Sequence, residues 1–150
     1  MKPAARPPHL RWAPIGLVAV GGALGTASRG GLSLVIPNLA DVPLSIAIIN
    51  VVGAFVLGYL SSSVTFLGAD SSTAKNLKLL LGTGFCGGFT TYSSLAIDTA
   101  VLIMRGSVGV SVLYSLGTVT VGGLATWLGL VAGSSVSDRK ARTTNAEAAS

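Results

Sequence analysis

The residues best suited to chemistry lie in one stretch, Gly84-Phe-Cys-Gly-Gly-Phe-Thr-Thr-Tyr-Ser-Ser94, which interrupts a long apolar run. Two adjacent glycines there are followed at once by aromatic and hydroxyl side chains. In hydrocarbon an unpaired backbone N–H or C=O is costly, so a helix break is tolerated only where protein or a water-filled cavity receives the freed groups. The stretch therefore predicts a broken helix, and the break is the place where an ion would bind.

The composition indicates that this stretch belongs to a membrane protein. Of the 150 residues, 50% are apolar and 10% are charged, which leaves too little polar surface to cover a soluble globule. Four apolar runs each approach or exceed the ~20 residues that a spanning helix needs. They cover residues 15–36, 43–67, 77–104 and 108–131. We predict an all-α integral membrane protein with four transmembrane helices and a broken third helix, with no room for a catalytic domain, and so not an enzyme.

The predicted membrane domain, residues 15–133, lies between two short polar ends. Residues 1–14 are basic and contain four prolines, and residues 134–150 are rich in Ser, Ala and Thr. Both ends are predicted to be disordered. A basic start before an apolar run is also typical of a signal peptide, but the length of the run and the three later runs favour a membrane span.

The basic residues are distributed unequally between the two sides of the membrane. With four spans, the N-terminus, the second loop and the C-terminus share one side and carry eight Lys or Arg residues, whereas the other side carries only Arg105. The positive-inside bias predicts a multi-pass protein of the cell membrane with both termini in the cytoplasm. Because the cations flank apolar spans without interleaved aromatic residues, the net charge of +5 does not indicate nucleic acid as a partner.

Among the polar residues inside the predicted spans, Arg29, Asn50 and Asp98 are the strongest functional candidates. Arg29 either faces protein or a water-filled vestibule, or extends its side chain to the membrane interface. Asn50 has no polar neighbour in the sequence, so it either bridges helices or lines a path. Asp98 is the only acidic residue inside the spans, where it could cap backbone or pair with a cation, and it is a functional candidate.

A set of motifs runs through all four predicted spans in order. The motifs are Gly21-Gly-x-x-Gly25-x-x-x-Arg29, Pro43-Leu44 with Asn50-x-x-Gly53 and Gly58, Gly84-Phe-x-Gly-Gly-x-Thr-Thr-Tyr-Ser-Ser-Leu-x-x-Asp98, and Tyr114 with Thr118 and Trp127-Leu-Gly129. Together they resemble the signature segments of the Fluc/CrcB family of fluoride channels. The glycines alone would indicate only close packing between membrane helices.

The resemblance implies an antiparallel dimer with a sodium ion at its centre. The ion would be a structural cofactor held by backbone carbonyls from both broken third helices, and the matching positions here are Gly87 and Thr90. This expectation agrees with general chemistry, because hard cations prefer oxygen ligands and unwound backbone supplies them without side-chain charge. The partners are then fluoride, sodium, membrane lipid and a second subunit.

The resemblance also implies two fluoride pathways along the dimer interface. The protein would be a passive, fluoride-selective channel that exports fluoride from the cytoplasm along these pathways. The matching pathway positions are Asn50, Tyr92, Ser93, Leu95, Tyr114 and Thr118. Arg29 matches a first-helix arginine near the aqueous vestibule, and Asp98 is expected to be a structural acid within the membrane.

The chain departs from the family pattern at three pathway positions. Tyr92 and Leu95 stand where the family has two phenylalanines, and Ile46 stands where it has a threonine. A ring edge is the positive end of the aromatic quadrupole, so Leu95 has no edge to offer an anion and Ile46 has no donor. These changes predict that at least one pathway made with this subunit is impaired, the alternative being harmless drift at Leu95.

The fixed orientation predicted from the basic residues has a consequence for the dimer. A subunit that inserts one way needs an oppositely oriented partner to form an antiparallel pair. We therefore expect a heterodimer with an inverted homologue, with a homodimer left open.

Two other functions remain as alternatives. One is a non-conducting partner subunit, which the residues at 46 and 95 favour. The other is a small multidrug-type proton-coupled transporter, which needs an acidic residue in its first span, where this chain has Arg29.

Overall fold

The computed structural model describes residues 12–38, 42–67 and 71–148. The helices in chain order are α1 (Trp12–Val35), α2 (Leu44–Ser63), α3 (Ser72–Leu77), α4 (Gly87–Phe89), α5 (Tyr92–Met104) and α6 (Val108–Ala148). A short 3₁₀ helix, Val64–Leu67, follows α2, and a π-helical segment, Lys78–Cys86, joins α3 to α4. This second piece is called the π segment below.

The described residues form four helical units, in agreement with the all-α prediction. α1, α2 and α6 are single helices, whereas the third unit consists of α3, the π segment, α4 and α5. α1 packs against the π segment and α4, and α6 packs against both α2 and α5. The third unit therefore lies between α1 on one side and the α2–α6 pair on the other.

Proline and glycine set two of the helix ends. α1 ends at Val35, just before the residue that precedes Pro37, because a residue before proline is disfavoured in the α conformation. α5 ends at Met104, and Gly106, two residues later, has a φ of +79°, a left-handed conformation that glycine adopts without steric cost. The N–H of Gly106 donates to the Ile103 carbonyl at 2.9 Å, so this end closes as a Schellman-type cap.

Glycines allow α1 to lie directly against the backbone of the third unit. A Cβ atom at Gly21 would meet the carbonyl oxygen of Leu80, and one at Gly25 would meet that of Phe85. In both cases the obstacle is backbone, which cannot rotate away. The predicted close approach between helices therefore occurs here through these two positions.

A second close approach joins α2 to α6. A Cβ atom at Gly58 would meet the carbonyl oxygen of Thr126, and one at Gly129 would meet that of Phe55. By contrast, Gly123, on the same helix as Gly129, faces open space. Only some of the glycines in the apolar runs are thus required by packing within the subunit.

The helices extend beyond the predicted boundaries of the membrane domain. α1 begins at Trp12, and residues 1–11 of the predicted N-terminal segment lie outside the described residues. α6 continues to Ala148, so the backbone over 134–148 is helical where the sequence predicts a disordered tail. This stretch contains no Gly or Pro and includes Ala, Arg, Lys and Glu, which are strong helix formers.

Two helices in the described part of the chain are long and apolar enough to cross a membrane by length and composition. They are Leu44–Ser63, with mean hydropathy 2.0, and Val108–Ser135, with mean hydropathy 1.6. The third unit is divided into pieces too short to meet this criterion. Large apolar side chains such as Leu34, Met104 and Leu113 are exposed on the outside of the subunit, as a surface that faces lipid or another subunit requires.

Candidate functional site

Thr90 and Thr91 leave the helical conformation between α4 and α5. Thr90 has φ −80° and ψ 156°, and Thr91 has φ −150° and ψ 116°, both in the extended region. We call these two residues the extended pair. Their backbone groups cannot continue the helical hydrogen-bond ladder, so each group needs another partner.

Asn50 from α2 supplies both partners for the Thr91 backbone. Its side-chain Nδ2 donates to the Thr91 carbonyl at 3.0 Å, and its Oδ1 accepts from the Thr91 N–H at 2.7 Å. A primary amide carries donor and acceptor side by side, so it can pair with one residue as a neighbouring strand would. Of the two roles predicted for Asn50, the structure shows the bridge between helices.

Two backbone carbonyls lose the donors that an uninterrupted helix would give them. In an α-helix the Thr91 N–H would donate to the Gly87 carbonyl, and the Ser94 N–H would donate to the Thr90 carbonyl. Instead the Thr91 N–H donates to Asn50, and the Ser94 N–H donates to the Thr91 hydroxyl at 3.2 Å. The carbonyl oxygens of Gly87 and Thr90 are therefore free of their helical donors.

The Gly88 carbonyl, by contrast, receives side chains from α1. Thr26 Oγ1 and Arg29 Nε each donate to it at 3.3 Å. The Arg29 side chain therefore turns toward the protein beside the extended pair, which is one of the two placements the sequence left open. A guanidinium group also keeps further N–H donors besides Nε, so its charge remains available near this backbone.

The donor set at the extended pair suits a hard cation. The Gly87 and Thr90 carbonyls are oxygen ligands without charge, and such ligands are typical of ion sites in unwound membrane helices. The described residues contain no group of three or more His, Cys, Asp or Glu side chains that could hold a metal ion. A cation bound here would accordingly be held by backbone oxygens.

Two surface grooves meet at Tyr92 and Leu95, just after the extended pair. The first has a volume of about 310 Å³ and also includes Asn50, Thr90 and Thr91 in its lining. The second, of about 340 Å³, lies between α5 and α6. Tyr92 is 81% exposed whereas Leu95 is 6% exposed, so the tyrosine projects from the subunit while the leucine separates the grooves from the core.

Comparison with known proteins places the chain in a family. The sequence model described as "CrcB-like protein, Camphor Resistance (CrcB)" matches residues 16–130, which include the extended pair and every predicted site residue. The chain belongs to this family. The resemblance predicted from the motifs is confirmed, and the family consists of membrane proteins, so the chain is an all-helical membrane protein.

Individual relatives match over three-quarters or more of this chain. It is 42% identical to the fluoride-specific ion channel FluC 2 of Leifsonia xyli subsp. xyli, over 89% of this chain and 92% of the relative. It is 40% identical to the fluoride-specific ion channel FluC of Novosphingobium aromaticivorans, over 75% of this chain and 90% of the relative. It is 41% identical to the fluoride-specific ion channel FluC of Gloeobacter violaceus, over 77% of this chain and 92% of the relative.

Three other predicted site residues of this chain lie close to one another and line neither groove. The Tyr114 hydroxyl lies 3.2 Å from Asp98 Oδ2 and 3.3 Å from the Pro43 carbonyl, so it links α5, α6 and the start of α2. The Thr118 hydroxyl donates to the Tyr114 carbonyl at 2.6 Å and is buried within its own helix. Tyr114, Thr118 and Asp98 are thus engaged within the subunit.

Ile46 and Leu95, two of the three positions that depart from the family pattern, are packed near each other. Leu95 forms a buried cluster with Leu102 and Tyr114, and Ile46 packs against that cluster. Both residues therefore contribute apolar contacts inside the subunit. A substitution at either position changes this core as well as the nearby grooves.

Two residues at the site make contacts that the sequence did not predict. Thr91 caps α5 and pairs with Asn50, and Thr26 donates to the Gly88 carbonyl. A threonine three residues before Ser94, just ahead of an apolar helical run, is a helix N-cap signal that could have identified Thr91. No local signal identifies Thr26, because its partner is 62 residues away in the sequence.

Replacing Thr91 by valine should weaken the start of α5. The Thr91 hydroxyl accepts from the Ser94 N–H and donates to Ser94 Oγ at 3.1 Å, and valine keeps the shape but removes both bonds. Loss of a helix N-cap costs about 1 kcal/mol. We expect a lower thermal unfolding midpoint of the purified protein, with Thr91→Ser close to wild type. Equal midpoints for Thr91→Val and wild type would contradict the capping role.

Proposed function

We propose that this chain is one subunit of a fluoride-selective, passive ion channel that exports fluoride from the cytoplasm. The proposal is supported by relatives named fluoride-specific ion channel, which match this chain over nearly their full length. It requires no covalent chemistry. The chain is proposed to act by positioning groups that replace the water around an ion.

The single observation that supports an ion-conducting role best is the backbone at the extended pair. The Gly87 and Thr90 carbonyls are deprived of their helical donors by two specific bonds, from Thr91 to Asn50 and from Ser94 to Thr91. Such an arrangement leaves polar backbone groups unpaired in a membrane segment unless a ligand or partner receives them. We propose that this is the functional break of the third helix.

Sodium and a second, antiparallel subunit are the proposed occupants of this break. Gly87 and Thr90 would hold the ion through their carbonyl oxygens, and matching oxygens from the partner would complete its coordination. When bound, the ion supplies a fixed positive charge beside the anion pathway. Gly87 is exposed on the isolated subunit, as a residue that meets a partner must be.

The proposed fluoride pathway follows the grooves on either side of Tyr92. Asn50 uses one N–H for the Thr91 carbonyl, and a primary amide has a second N–H that can face an anion in the groove. The exposed Tyr92 offers a ring edge and a hydroxyl, and the exposed Ser93 adds a further hydroxyl. Arg29, beside the Gly88 carbonyl, is proposed to raise the anion concentration in the vestibule.

Both termini are proposed to lie in the cytoplasm, with an inverted homologue as partner. The loop charges support this placement, because eight basic residues share one side and one lies on the other. A reporter active only in the cytoplasm, fused after Ser150, should give full signal, and a reporter active only outside should give none. Comparable signals from both reporters would show dual insertion and exclude the fixed orientation.

A non-conducting partner subunit is a second candidate, favoured by the apolar cluster around Leu95. Ile46 and Leu95 pack with Tyr114, so this region presents neither the hydroxyl nor the second ring edge that the family pattern has. A dehydrated fluoride ion needs donors at each step along its path. A pathway formed mainly by the partner's residues would then conduct in place of this one.

The double substitution Ile46→Thr with Leu95→Phe tests whether the missing groups close a pathway. It restores a hydroxyl donor and a ring edge, so fluoride flux should rise severalfold, with chloride still excluded. Each single substitution should do less than the pair, because neighbouring residues couple. Since both side chains pack inside the subunit, the yield of folded protein must be measured in parallel. Unchanged flux in a well-folded double variant would show that these positions do not limit conduction.

Fluoride efflux from liposomes tests the proposed function directly. We expect efflux when the chain is reconstituted with its inverted homologue, without added protons or another driving ion. The chain alone should conduct only if it also forms homodimers. Efflux that requires a proton gradient would favour the transporter alternative, although α1 carries no acidic residue. No efflux with or without the homologue would refute the channel proposal.

A further inference from the structure

A third groove lies between α2 and the π segment, away from the extended pair. It has a volume of about 340 Å³ and is lined by six residues, which are Leu57, Leu60, Ser61, Lys78, Gly82 and Thr83. We call it the Lys78 groove. It shares Leu57 with the groove beside Asn50, and none of its other residues lines that groove.

Gly82 keeps this groove open. A Cβ atom at Gly82 would lie 3.8 Å from Leu57 Cδ1, which is ordinary van der Waals contact, so alanine fits while any longer side chain extends into the groove. The glycine is therefore not required by contact between the helix backbones. Its small size determines the space between α2 and the π segment.

The π-helical hydrogen-bond pattern brings two polar residues of the π segment, Lys78 and Thr83, to the same face. Lys78 and Thr83 are five residues apart within the π segment, where the repeat joins residue i to residue i+5. In an α-helix, residues five apart would point about 140° away from each other. Both residues therefore line one groove because the helix is wider here.

The polar groups of the Lys78 groove suit a phosphate. Lys78 is exposed and carries three N–H donors. The Thr83 hydroxyl is also exposed, and the described residues give it no hydrogen-bond acceptor. The Ser61 hydroxyl donates to the Leu57 carbonyl at 2.7 Å and remains able to accept from Lys78.

The apolar groups of the groove suit an acyl chain. Leu57 is 42% exposed, and with Leu60 it continues the apolar surface of α2 toward the middle of that span. Ser61 lies near the end of α2, so the polar part of the groove is at the level where a helix leaves the hydrocarbon. A ligand that fills the groove must carry an anionic head and an apolar tail.

We propose that the Lys78 groove binds the headgroup of an anionic phospholipid, with the phosphate on Lys78 and Thr83 and an acyl chain along Leu57 and Leu60. Basic pockets between membrane helices are typical sites for such headgroups. A monatomic anion is far smaller than the groove. It would contact only one cation there, Lys78, and would keep most of its water. The proposal needs only the membrane location of the chain and does not depend on which ion the protein conducts.

Lipid retention in nanodiscs made of equal parts phosphatidylcholine and phosphatidylglycerol tests the proposal. The full-length protein is released from the nanodiscs in a mass spectrometer, and the phosphatidylglycerol that stays bound is compared with the phosphatidylcholine. We expect wild type to retain phosphatidylglycerol preferentially. Lys78→Gln should lower this preference about fivefold, the effect of removing one lysine near an anionic surface. Lys78→Arg should keep it.

Two further variants separate a groove from general surface charge. Gly82→Leu fills the groove without changing any charge and should lower phosphatidylglycerol retention as much as Lys78→Gln. Lys75→Gln removes the same charge three residues away, outside the groove lining, and should retain the lipid. Wild type without a phosphatidylglycerol preference, or equal losses in Lys75→Gln and Lys78→Gln, would overturn the site. Displacement of the lipid by inorganic phosphate alone would overturn its assignment to a phospholipid.

Discussion

Replacing Asn50 by leucine should lower fluoride flux at least tenfold and destabilise the folded subunit. Leucine is close to asparagine in shape, but it removes both hydrogen bonds to Thr91, at 3.0 and 2.7 Å. A buried backbone group left without a partner costs about 1–3 kcal/mol, and two groups are affected here. Because 1.4 kcal/mol is tenfold in population, the extended conformation at Thr91 should become rare.

The measurements for Asn50→Leu are fluoride efflux from liposomes and the thermal unfolding midpoint of the purified protein. Asn50→Asp is the informative companion, because it keeps the acceptor for the Thr91 N–H and loses the donor for the Thr91 carbonyl. Asn76→Leu changes an exposed asparagine on α3 and should have little effect on either measurement. A stable, fully active Asn50→Leu protein would show that the side chain does not maintain the extended pair.

Replacing Gly88 by alanine should strongly reduce the yield of folded protein. A Cβ atom at this position would meet the carbonyl oxygen of Gly22 and lie 3.0 Å from two further backbone atoms of that residue. Backbone cannot turn aside as a side chain can, so α1 and α4 would have to separate. Overpacking of this kind costs about 1–3 kcal/mol or more. Separation would also disturb the bonds from Thr26 and Arg29 to the Gly88 carbonyl.

Two other glycine-to-alanine variants are controls for Gly88→Ala. Gly30→Ala, on α1, adds a methyl group where nothing lies within 4 Å and should fold normally. Gly87→Ala also meets nothing within the subunit, so it should fold normally and affect only assembly if the proposed dimer forms there. The yield of monodisperse protein after purification measures all three. Similar yields from Gly88→Ala and Gly30→Ala would contradict the close contact between α1 and α4.

The structure gives a different physical reason for the adjacent glycines at positions 87 and 88 from the one that the sequence indicates. The sequence predicts a broken helix over the stretch that contains Gly87 and Gly88. In the structure both glycines lie in α4 with a helical conformation, and the extended residues are Thr90 and Thr91. Among the described glycines only Gly106 has a positive φ. Gly88 is needed because α1 approaches it closely, which is a tertiary contact that the local sequence cannot reveal.

The amino-acid sequence by itself determined the class of protein, the family and the segment in which to look for the site. Composition and the length of the apolar runs are properties of the chain, and the order of the motifs identified the family because they span the whole membrane domain. The tertiary structure decided which groups at the site contact one another. Asn50 and Thr91 are 41 residues apart, and Thr26 and Gly88 are 62 apart, so only the packing of α1 and α2 against the third unit brings them together. That packing takes the helical donor of Gly87, because the Thr91 N–H donates to Asn50. The helical donor of Thr90 is taken locally, by the Thr91 hydroxyl that caps α5.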